Sequence, residues 1–363
     1  MHIVVDATMI KPNQAGLRSV AIGLTDALAK VKGNRVTVLT LRVEKGDWGK
    51  ATTLCTSLQS GNPYRRALWR EARLPGLLRS IDADILLVTA PESLRRCPVP
   101  QVIIVNDLGP VMAPAFYGKG RYVKYAATLK GSCRRANGIV CISAATRLDL
   151  ARWVGDHGDK VSVARVGPQL TRRVASTTQI ASAQPDSSYA LYVGAVLPHK
   201  NLDTLIDAYQ VPSAMMPAHL VLAGPDYAGE VMRLQQKIKT TPHIQHVGFV
   251  DTDELHVLYE NAAVFVLPSL WEGFGIPVIE ALSFGLPVVA TALPALVEAG
   301  GDAGTYVQDP LSSQQWRQAI AQAVASANPH SAARAQKQAS QFSWVLMAEA
   351  VQSALLRAYK SAQ

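Results

Sequence analysis

The chain has 363 residues, of which 48% are hydrophobic and 17% are charged. This apolar content excludes a largely disordered protein, and the length suffices for two domains that each bury a core. No uninterrupted apolar run reaches the roughly 18 residues of a membrane-spanning helix. The start, Met1 to Asp6, lacks the basic segment and the small-residue cleavage site of a signal peptide. We therefore expect a cytoplasmic protein of two domains.

The cysteines and histidines do not have the spacing of a disulfide framework or a metal site. Cys55, Cys97, Cys133 and Cys141 are scattered without a Cys-x-x-Cys pair, and no two His residues have ligand spacing. We expect four reduced, buried cysteines and no metal. Asp82-Ala83-Asp84 resembles a metal-binding Asp-x-Asp, but it precedes its predicted strand, so we interpret it as structural.

The net charge of +9 is unevenly divided along the chain. Residues 1–169 carry 25 Lys and Arg against 12 Asp and Glu, whereas residues 170–363 carry 11 against 15. The acidic second half argues against a nucleic-acid partner, and the basic first half favours phosphates, including an anionic membrane surface. A solvated helix face explains the basic stretches equally well. The basic residues in question are Arg65, Arg66, Arg70, Arg73, Lys119, Arg121, Lys124, Lys130, Arg134 and Arg135.

Two series of short β-branched strands and amphipathic helices follow one another along the chain. The first series predicts strands at 3–5, 36–41, 85–88, 102–105, 139–142 and 161–166, and helices at 17–31, 64–80, 122–136 and 144–154. The second predicts strands at 189–193, 220–223, 244–247, 264–267 and 287–291, and helices at 202–209, 230–239, 253–262 and 277–284. From residue 312 the chain is predicted to be helical, with a break at Asn328-Pro329.

This alternation predicts an α/β fold of two doubly wound, Rossmann-like domains that face each other across a cleft. We place the domains at 1–170 and 189–342. A linker rich in Thr, Ser, Ala and Gln joins them at 171–188, and a C-terminal helix at 343–363 is expected to pack back on the first domain. Ligands of such sheets bind outside the carboxyl ends of the strands, so the loops there are the candidate sites.

The segment from Pro268 to Glu280 is the most informative of these loops. It follows a strand and enters a helix, and Gly273 and Gly275 allow close backbone approach to an anion at the helix start. Glu272 and Glu280 bracket this helix start and can bind hydroxyls on either side of a phosphate. The alternative is a surface loop with two solvated carboxylates.

Three other loops carry weaker signals. A strand ends at Gly194, and the loop after it delivers His199 and Lys200, whose ammonium can neutralise a leaving diphosphate. Gly16 opens the first helix and permits backbone contact with a phosphate. Asn106-Asp107 ends the fourth predicted strand and can contact a substrate, or Asp107 simply caps a loop.

The residues from Glu272 to Glu280, followed by Ala281-Leu-Ser-Phe-Gly-Leu-Pro-Val-Val, resemble the signature of retaining glycosyltransferases of family 4, which have the GT-B fold. The similarity spans nearly the whole chain. It includes Gly194 to Asn201, Val247-Gly-Phe-Val250 and Ile142-Ser-Ala-Ala-Thr146.

The resemblance implies sugar transfer from a nucleotide-activated donor, with retention of anomeric configuration and without a metal or other cofactor. It implies that the first domain binds the acceptor and the second the nucleotide-sugar. It assigns Glu280 to the donor ribose, Glu272 to the transferred sugar, and the Phe274-Gly275-Ile276 backbone to the sugar and phosphates. Lys200 is assigned to the diphosphate, with Gly194 and His199 in the same diphosphate-binding segment. Gly16 is assigned to a phosphate, and the backbone of Val250 to the base. Asn106 is a third catalytic candidate beside Glu272 and Lys200, and it occupies the position where the family usually has a His that contacts the sugar. His199 occupies a position where the family commonly has an Arg.

We expect the donor to be a GDP-linked mannose or related sugar, because Asp6 and Asn106-Asp107-Leu108-Gly-Pro look like mannosyl- and rhamnosyltransferases. The acceptor is expected to be a glycan or lipid-linked glycan of polysaccharide or lipopolysaccharide biosynthesis. A UDP-linked donor, a nucleotide-sugar epimerase and a non-catalytic nucleotide-sugar-binding subunit are the alternatives. The basic first domain favours a peripheral location on the inner face of the cytoplasmic membrane.

Overall fold

A computed structural model describes residues 1–10, 15–41, 48–56, 62–172, 188–211, 213–241 and 243–363. These residues form two compact units, one of Met1–Gly167 with Ser343–Gln363 and the other of Pro168–Phe342. Residues 168–170, which the sequence placed in the first domain, belong to the second unit, because the backbone N–H groups of Gln169 and Leu170 donate to Glu280 there. Residues 173–187 of the expected linker lie outside the described residues.

The first unit is built on a seven-stranded parallel sheet in the order β3-β2-β1-β4-β5-β6-β7. Its strands are β1 (His2–Asp6), β2 (Arg35–Thr40), β3 (Thr52–Cys55), β4 (Ile85–Val88), β5 (Gln101–Val105), β6 (Gly138–Cys141) and β7 (Val161–Val163). Its helices before the second unit are α1 (Ala15–Lys30), α2 (Pro63–Ala72), α3 (Leu74–Ser80), α4 (Gly109–Met112), α5 (Lys119–Arg135) and α6 (Ala144–Val154). Every residue of β1, β4, β5 and β6 is buried, as a parallel sheet covered on both faces requires.

The region between β2 and β4 differs from the sequence-based expectation. Strand β3 was not predicted, because it is an exposed edge strand without a continuous apolar run. Cys55 lies on this strand and is exposed, and Cys97 is only partly buried, so the expectation of four buried cysteines holds for Cys133 and Cys141 alone. All four cysteines are free. The single helix expected at 64–80 is two helices, since Arg73 ends α2 and α3 begins with Pro75 in its first turn.

Two arginines of α2 correct the expectation of a basic face open to a membrane. Arg66 and Arg70 are buried, because α2 packs that side on the carboxyl edge of the sheet and Arg70 donates to Asp6. The other basic residues named for this contact, which include Lys119, Arg121 and Lys124, are exposed.

The second unit contains a six-stranded parallel sheet in the order β10-β9-β8-β11-β12-β13. Its strands are β8 (Tyr189–Val193), β9 (His219–Ala223), β10 (Ile244–Gly248), β11 (Val264–Leu267), β12 (Val288–Thr291) and β13 (Gly304–Val307). Its helices are α7 (Leu202–Tyr209), α8 (Glu230–Lys239), α9 (Thr252–Asn261), α10 (Ile276–Ser283), α11 (Pro294–Gly300), α12 (Ser313–Ala325) and α13 (Pro329–Ala339). The sequence did not predict β13 or α11, which are short.

The C-terminal helix α14 (Trp344–Lys360) belongs to the first unit, where it packs on α1 and on β5, β6 and β7. The amide of Asn34 donates to Gln352 of α14 at 2.8 Å, and Arg357 of α14 donates to the Ser162 hydroxyl at 2.6 Å. Among the described residues, no helix is both long and apolar enough to cross a bilayer.

Both sheets reverse their winding direction at one point, between β1 and β4 in the first and between β8 and β11 in the second. The prediction of two doubly wound α/β domains is therefore confirmed over the described residues. In such sheets the carboxyl ends of the two strands that flank the reversal are where ligands bind. Polar side chains lie at both of these positions, with Thr89 after β4 in the first unit and Lys200 and Glu272 after β8 and β11 in the second.

Candidate functional site

A partly buried ion pair joins the loops that follow β8 and β11, the two strands that flank the reversal of the second sheet. Lys200 Nζ donates to Glu272 Oε1 at 2.5 Å, and the Ser269 hydroxyl donates to the same oxygen at 2.7 Å. Both charged side chains are largely buried. Two residues that the sequence singled out for catalysis are thus in direct contact.

The electrostatics of this pair favour its charged form. Burial alone raises the pKa of Glu272, but the Lys200 ammonium and the hydrogen bonds from Lys200 and Ser269 outweigh it and hold the pKa below its ordinary value. For His199, burial and the neighbouring Lys200 charge lower the pKa to about 4, against a smaller opposing effect of Glu272. At neutral pH the Glu272 side chain is therefore a carboxylate and the His199 imidazole is neutral.

Backbone contacts fix the two loops against each other. The Leu270 N–H donates to the His199 carbonyl at 2.7 Å, which ties the β11 loop to the β8 loop. Asn201 has left-handed backbone angles (φ 53°, ψ 38°), and its amide donates to the Pro310 carbonyl. A Cβ on Gly224 would come within 2.0 Å of the Gly194 carbonyl oxygen, so the loop after β8 lies directly against the end of β9. Lys200 is consequently held in place from both sides.

The start of α10 lies three residues beyond Glu272 and has a conformation that requires glycine. Gly275 caps the helix with φ 113°, and a Cβ there would approach Leu296 to 2.6 Å. The Phe274 ring packs edge-on against Phe342, with ring centroids 5.4 Å apart. Because this side chain points into the core, the Phe274-Gly275-Ile276 segment has its backbone, together with the positive end of the helix dipole, to offer an anion.

Glu280 is buried, with 5% of its surface exposed, and its carboxylate is hydrogen-bonded within the second unit. Oε1 accepts from the backbone N–H groups of Gln169 and Leu170, and Oε2 accepts from the Tyr259 hydroxyl at 3.0 Å. Burial raises the pKa of Glu280 to about 7, although these three hydrogen bonds act in the opposite direction. Two hydrogen bonds reach Oε1 and one reaches Oε2, so Oε2 keeps a lone pair for a further donor.

The remaining predicted donor residues are more dispersed. Val250 is partly buried after β10, next to the exposed Phe249 in the chain, and Gly194 directly follows β8. Gly16 is the second residue of α1 in the first unit, where it is exposed and a Cβ would meet no atom within 4 Å. The second unit therefore brings His199, Lys200 and Glu272 together. Gly194 and the start of α10 belong to the same unit, whereas Gly16 belongs to the first unit.

Asn106 is also a residue of the first unit, where it follows β5. Its side chain is 9% exposed, and Nδ2 donates to the Thr89 carbonyl at 3.1 Å. Its Oδ1 is buried and has no donor among the residues that the structure describes.

Sequence reasoning missed several residues that support the site. Ser269 binds Glu272, Tyr259 binds Glu280, and the indole N–H of Trp271 is buried without an acceptor in the described part of the chain. Ser269 and Trp271 lie inside the motif that the sequence identified, so their position was available as a signal. Nothing in the sequence connects Tyr259 to Glu280. Across the described ranges, no group of three or more His, Cys, Asp or Glu side chains is arranged to hold a metal ion.

Solved structures with a similar fold include WaaG, a glycosyltransferase involved in lipopolysaccharide biosynthesis. It aligns with a TM-score of 0.71 and 18% identity over 97% of this chain and 98% of its own. Anabaena HepE, solved in complex with UDP and glucose, aligns with a TM-score of 0.72 and 20% identity over 98% of this chain and 99% of its own. At these identities the similarity shows the fold alone.

Sequence relatives include O-antigen chain mannosyltransferase B of Escherichia coli, which is 30% identical over 67% of this chain and 66% of its own length. O-antigen chain mannosyltransferase RfbU of Salmonella typhimurium is 28% identical over 61% of this chain and 60% of its own length. The aligned part of the chain thus spans slightly less than two thirds of each of these relatives.

Two family models match successive parts of the chain. The model for glycosyltransferase family 4 matches residues 15–169, and the model for glycosyl transferases group 1 matches residues 177–342. Together these two matches cover most of both units. With two parallel-sheet units and structural neighbours that are GT-B glycosyltransferases, the chain belongs to the family 4 glycosyltransferases and has the GT-B fold.

Proposed function

We propose that the protein is a retaining glycosyltransferase that moves mannose or a related sugar from a GDP-linked donor to a glycan or lipid-linked glycan. The observation that carries this proposal is the Lys200–Glu272 pair, held beside the glycine-capped start of α10 at the reversal of the second sheet. A nucleoside diphosphate needs positive charge around its phosphates, and Lys200 with the α10 N-terminus supplies it.

The proposed chemistry is electrostatic. When the glycosidic bond of the donor breaks, negative charge grows on the leaving diphosphate, and the Lys200 ammonium stabilises this charge in the transition state. Glu272, kept ionised by Lys200, accepts hydrogen bonds from hydroxyls of the transferred sugar. Since Lys200 provides the compensating charge, we propose that the reaction needs no bound metal or other cofactor.

Glu280 is the proposed ligand of the donor ribose. The remaining lone pair on Oε2, next to the Tyr259 hydroxyl, is the position where a ribose hydroxyl would donate. This contact requires Glu280 to accept, which it does in its ionised form and, more weakly, when protonated.

The mannose assignment is supported by the two relatives, both of which are named O-antigen mannosyltransferases. They also support a place for the reaction in the synthesis of a surface polysaccharide. A UDP-linked donor is the second candidate, because the structural neighbour HepE was solved with UDP and with UDP-glucose. A further alternative is a non-catalytic subunit that binds a nucleotide-sugar through the same residues. It would differ from the proposed enzyme because it would not transfer the sugar.

The test is transfer from radiolabelled GDP-mannose and UDP-glucose to lipid-linked glycans extracted from bacterial membranes, in the presence and absence of EDTA. We expect labelled product from GDP-mannose, unaffected by EDTA, with the anomeric configuration of the donor when the linkage is read by NMR. Product from UDP-glucose and none from GDP-mannose would favour a UDP-linked donor over a GDP-linked one. Nucleotide binding without product from any donor would favour the non-catalytic subunit.

We further propose that the first unit contacts an anionic membrane through α5. Lys119, Arg121 and Lys124 are exposed on this helix together with the apolar side chain of Val123. Basic side chains near an anionic surface contribute about 1 kcal/mol each. The wild-type protein should sediment with phosphatidylglycerol vesicles, and the double variant Lys119→Glu, Lys124→Glu should stay in the supernatant. With uncharged phosphatidylcholine vesicles, the double variant and the wild type should behave alike. Unchanged sedimentation of the double variant would contradict this contact.

A further inference from the structure

The reversal point of the first sheet also carries a polar edge, formed by groups that follow β1, β4 and β5. The backbone N–H and the hydroxyl of Thr89, after β4, both donate to the carbonyl of Asp6 at the end of β1. The Asn106 amide, after β5, donates to the Thr89 carbonyl. Three neighbouring strand ends are therefore joined by hydrogen bonds at the position where ligands of such sheets bind.

Helix α2 places two buried arginines on this edge, one turn apart, and their surroundings differ. Arg70 donates to Asp6 Oδ2 at 2.7 Å and to the Glu92 carbonyl at 2.6 Å, so its charge is matched. Arg66 is 5% exposed, and its Nε has no acceptor among the described residues.

Among the described residues, no acceptor compensates the buried Nε–H of the Arg66 guanidinium. Burial is the largest cause of a lowered Arg66 pKa, and the Arg70 charge adds to it, while Glu92 and Asp6 oppose both. A buried guanidinium with an unmatched N–H destabilises a fold unless a ligand completes it. We therefore treat Arg66 as a candidate ligand-binding residue.

Asn106 supplies a second unmatched atom at the same edge. Its Oδ1 is buried and has no donor in the described part of the chain, which leaves an acceptor for a hydroxyl. A guanidinium prefers phosphate oxygens, which it can bind through two parallel N–H groups. An unmatched Arg donor and an unmatched amide oxygen together fit a phosphate with a hydroxyl-bearing group attached.

We propose that the β1–β4 edge of the first unit binds a phosphate group of the acceptor, with Arg66 as the phosphate ligand and Asn106 accepting from a nearby hydroxyl. The identification of this ligand with the acceptor rests on the proposed transferase function, whereas phosphate binding itself does not. The phosphate belongs either to a phosphorylated sugar or to a lipid diphosphate, which present the same oxyanion.

The experiment measures phosphate binding to the full chain by calorimetry in the Lys200→Met background, which removes the proposed diphosphate ligand of the second unit. Inorganic phosphate, inorganic diphosphate and mannose 6-phosphate are titrated into this protein and into versions that also carry Arg66→Met or Arg65→Met. Arg65 is the matched control because it is the neighbouring, exposed residue of α2. We expect Arg66→Met to weaken binding of every probe roughly tenfold or more and Arg65→Met to leave it unchanged.

The two sources of phosphate are distinguished by the probes. Tighter binding of diphosphate than of mannose 6-phosphate, lost with Arg66→Met, supports a lipid diphosphate. The reverse order, lost with Arg66→Met and reduced by Asn106→Ala, supports a phosphorylated sugar. Equal binding with and without Arg66, or no phosphate binding in the Lys200→Met protein, overturns the proposal.

A stability measurement separates binding from a structural role. We expect Arg66→Met to have a thermal midpoint no lower than that of the wild type, because it removes a buried charge with an unmatched N–H. A lower midpoint with unchanged phosphate affinity would make Arg66 a structural residue. Titration of the Arg66→Met protein, with Lys200 intact, with GDP and UDP tests the transferase site independently, so failure of that site and failure of this proposal give different results.

Discussion

Lys200 Nζ lies 2.5 Å from Glu272 Oε1, and the two residues come from loops 72 positions apart in the chain. The contact forms because β8 and β11, which precede these loops, are neighbours at the reversal of the second sheet. It places Lys200, the proposed ligand of a diphosphate, next to a carboxylate whose pKa is held below its ordinary value. In the proposed mechanism, Lys200 binds the diphosphate and Glu272 contacts the transferred sugar.

Replacing Glu272 with Gln should reduce transfer without weakening nucleotide binding. The carboxylate is proposed to contact the sugar, so its loss should lower kcat about 100-fold. The Kd for the nucleoside diphosphate should stay the same or fall, because a negative charge near the phosphates is removed. Steady-state kinetics and calorimetry measure the two quantities, and Glu260→Gln, an exposed position of α9, is the control. Loss of nucleotide affinity with unchanged kcat would contradict the assigned roles.

Gly275→Ala should destabilise the second unit and impair donor binding. Its φ of 113° is unfavourable for alanine, and the added Cβ would contact Leu296 at 2.6 Å, so we expect a cost of about 1–3 kcal/mol. The matched change is Gly76→Ala in α3, where φ is not positive and the Cβ meets no atom within 4 Å. That change should stabilise the first unit by about 0.5–1 kcal/mol. Urea unfolding of both variants provides the check, and equal effects of the two changes would refute this explanation.

Arg70→Met should be strongly destabilising, because it leaves the carboxylate of Asp6 buried without its partner. Both side chains are almost completely buried, and removing one member of such a pair costs roughly 3–5 kcal/mol. Arg73→Met, at an exposed position three residues later, should change stability by less than about 0.5 kcal/mol. The measurement is the free energy of unfolding. Exposed ion pairs contribute at most about 1 kcal/mol, so a smaller loss than this for Arg70→Met would show that the pair is not buried as described.

Glu280 should make the stability depend on pH in a specific window. Its pKa is raised from 4.5 to about 7 in the folded state, so the folded protein holds the proton more tightly than the unfolded chain. Stability from this group is present below pH 4.5 and is lost as the pH rises through 7, by up to about 3 kcal/mol.

The Glu280→Gln variant tests this dependence, since it keeps the shape of the side chain and cannot ionise. The unfolding free energy of the wild type, minus that of Glu280→Gln, should fall between pH 5 and pH 8. Glu349→Gln, at an exposed position of α14, should show no such difference. A constant difference for Glu280→Gln across this range would mean that the Glu280 pKa is not raised.

Much of the fold could be predicted because its determinants are local. Strands such as Ile85–Val88 are continuous apolar runs, and Asp251 caps α9 through residues next to it in the chain, by accepting from the N–H groups of Asp253 and Glu254. Strand β3 escaped prediction because an exposed edge strand has no apolar run, and α11 and β13 are too short for a clear period.

The site could be predicted in part for the same reason. Glu272, Gly275 and Glu280 lie in one contiguous motif, so residue type and spacing were enough to select them as candidates. The partners of Glu280 were not predictable, because Gln169 is 111 positions away and no local pattern connects the two. Arg66 and Arg70 were assigned to a surface, since helical spacing shows which residues share a face but not that this face covers the buried carboxylate of Asp6.

The most direct test of the central claim is calorimetric titration of the full chain with GDP, UDP, dTDP and ADP, followed by their sugar conjugates. The wild-type protein should bind one nucleoside diphosphate, with GDP expected, and Lys200→Met should bind it roughly tenfold or more weakly. Lys239→Met, at an exposed position of α8, should bind it like the wild type. Failure of all four nucleotides to bind, or equal binding by Lys200→Met, would contradict the assignment of the Lys200–Glu272 site to a nucleotide-sugar.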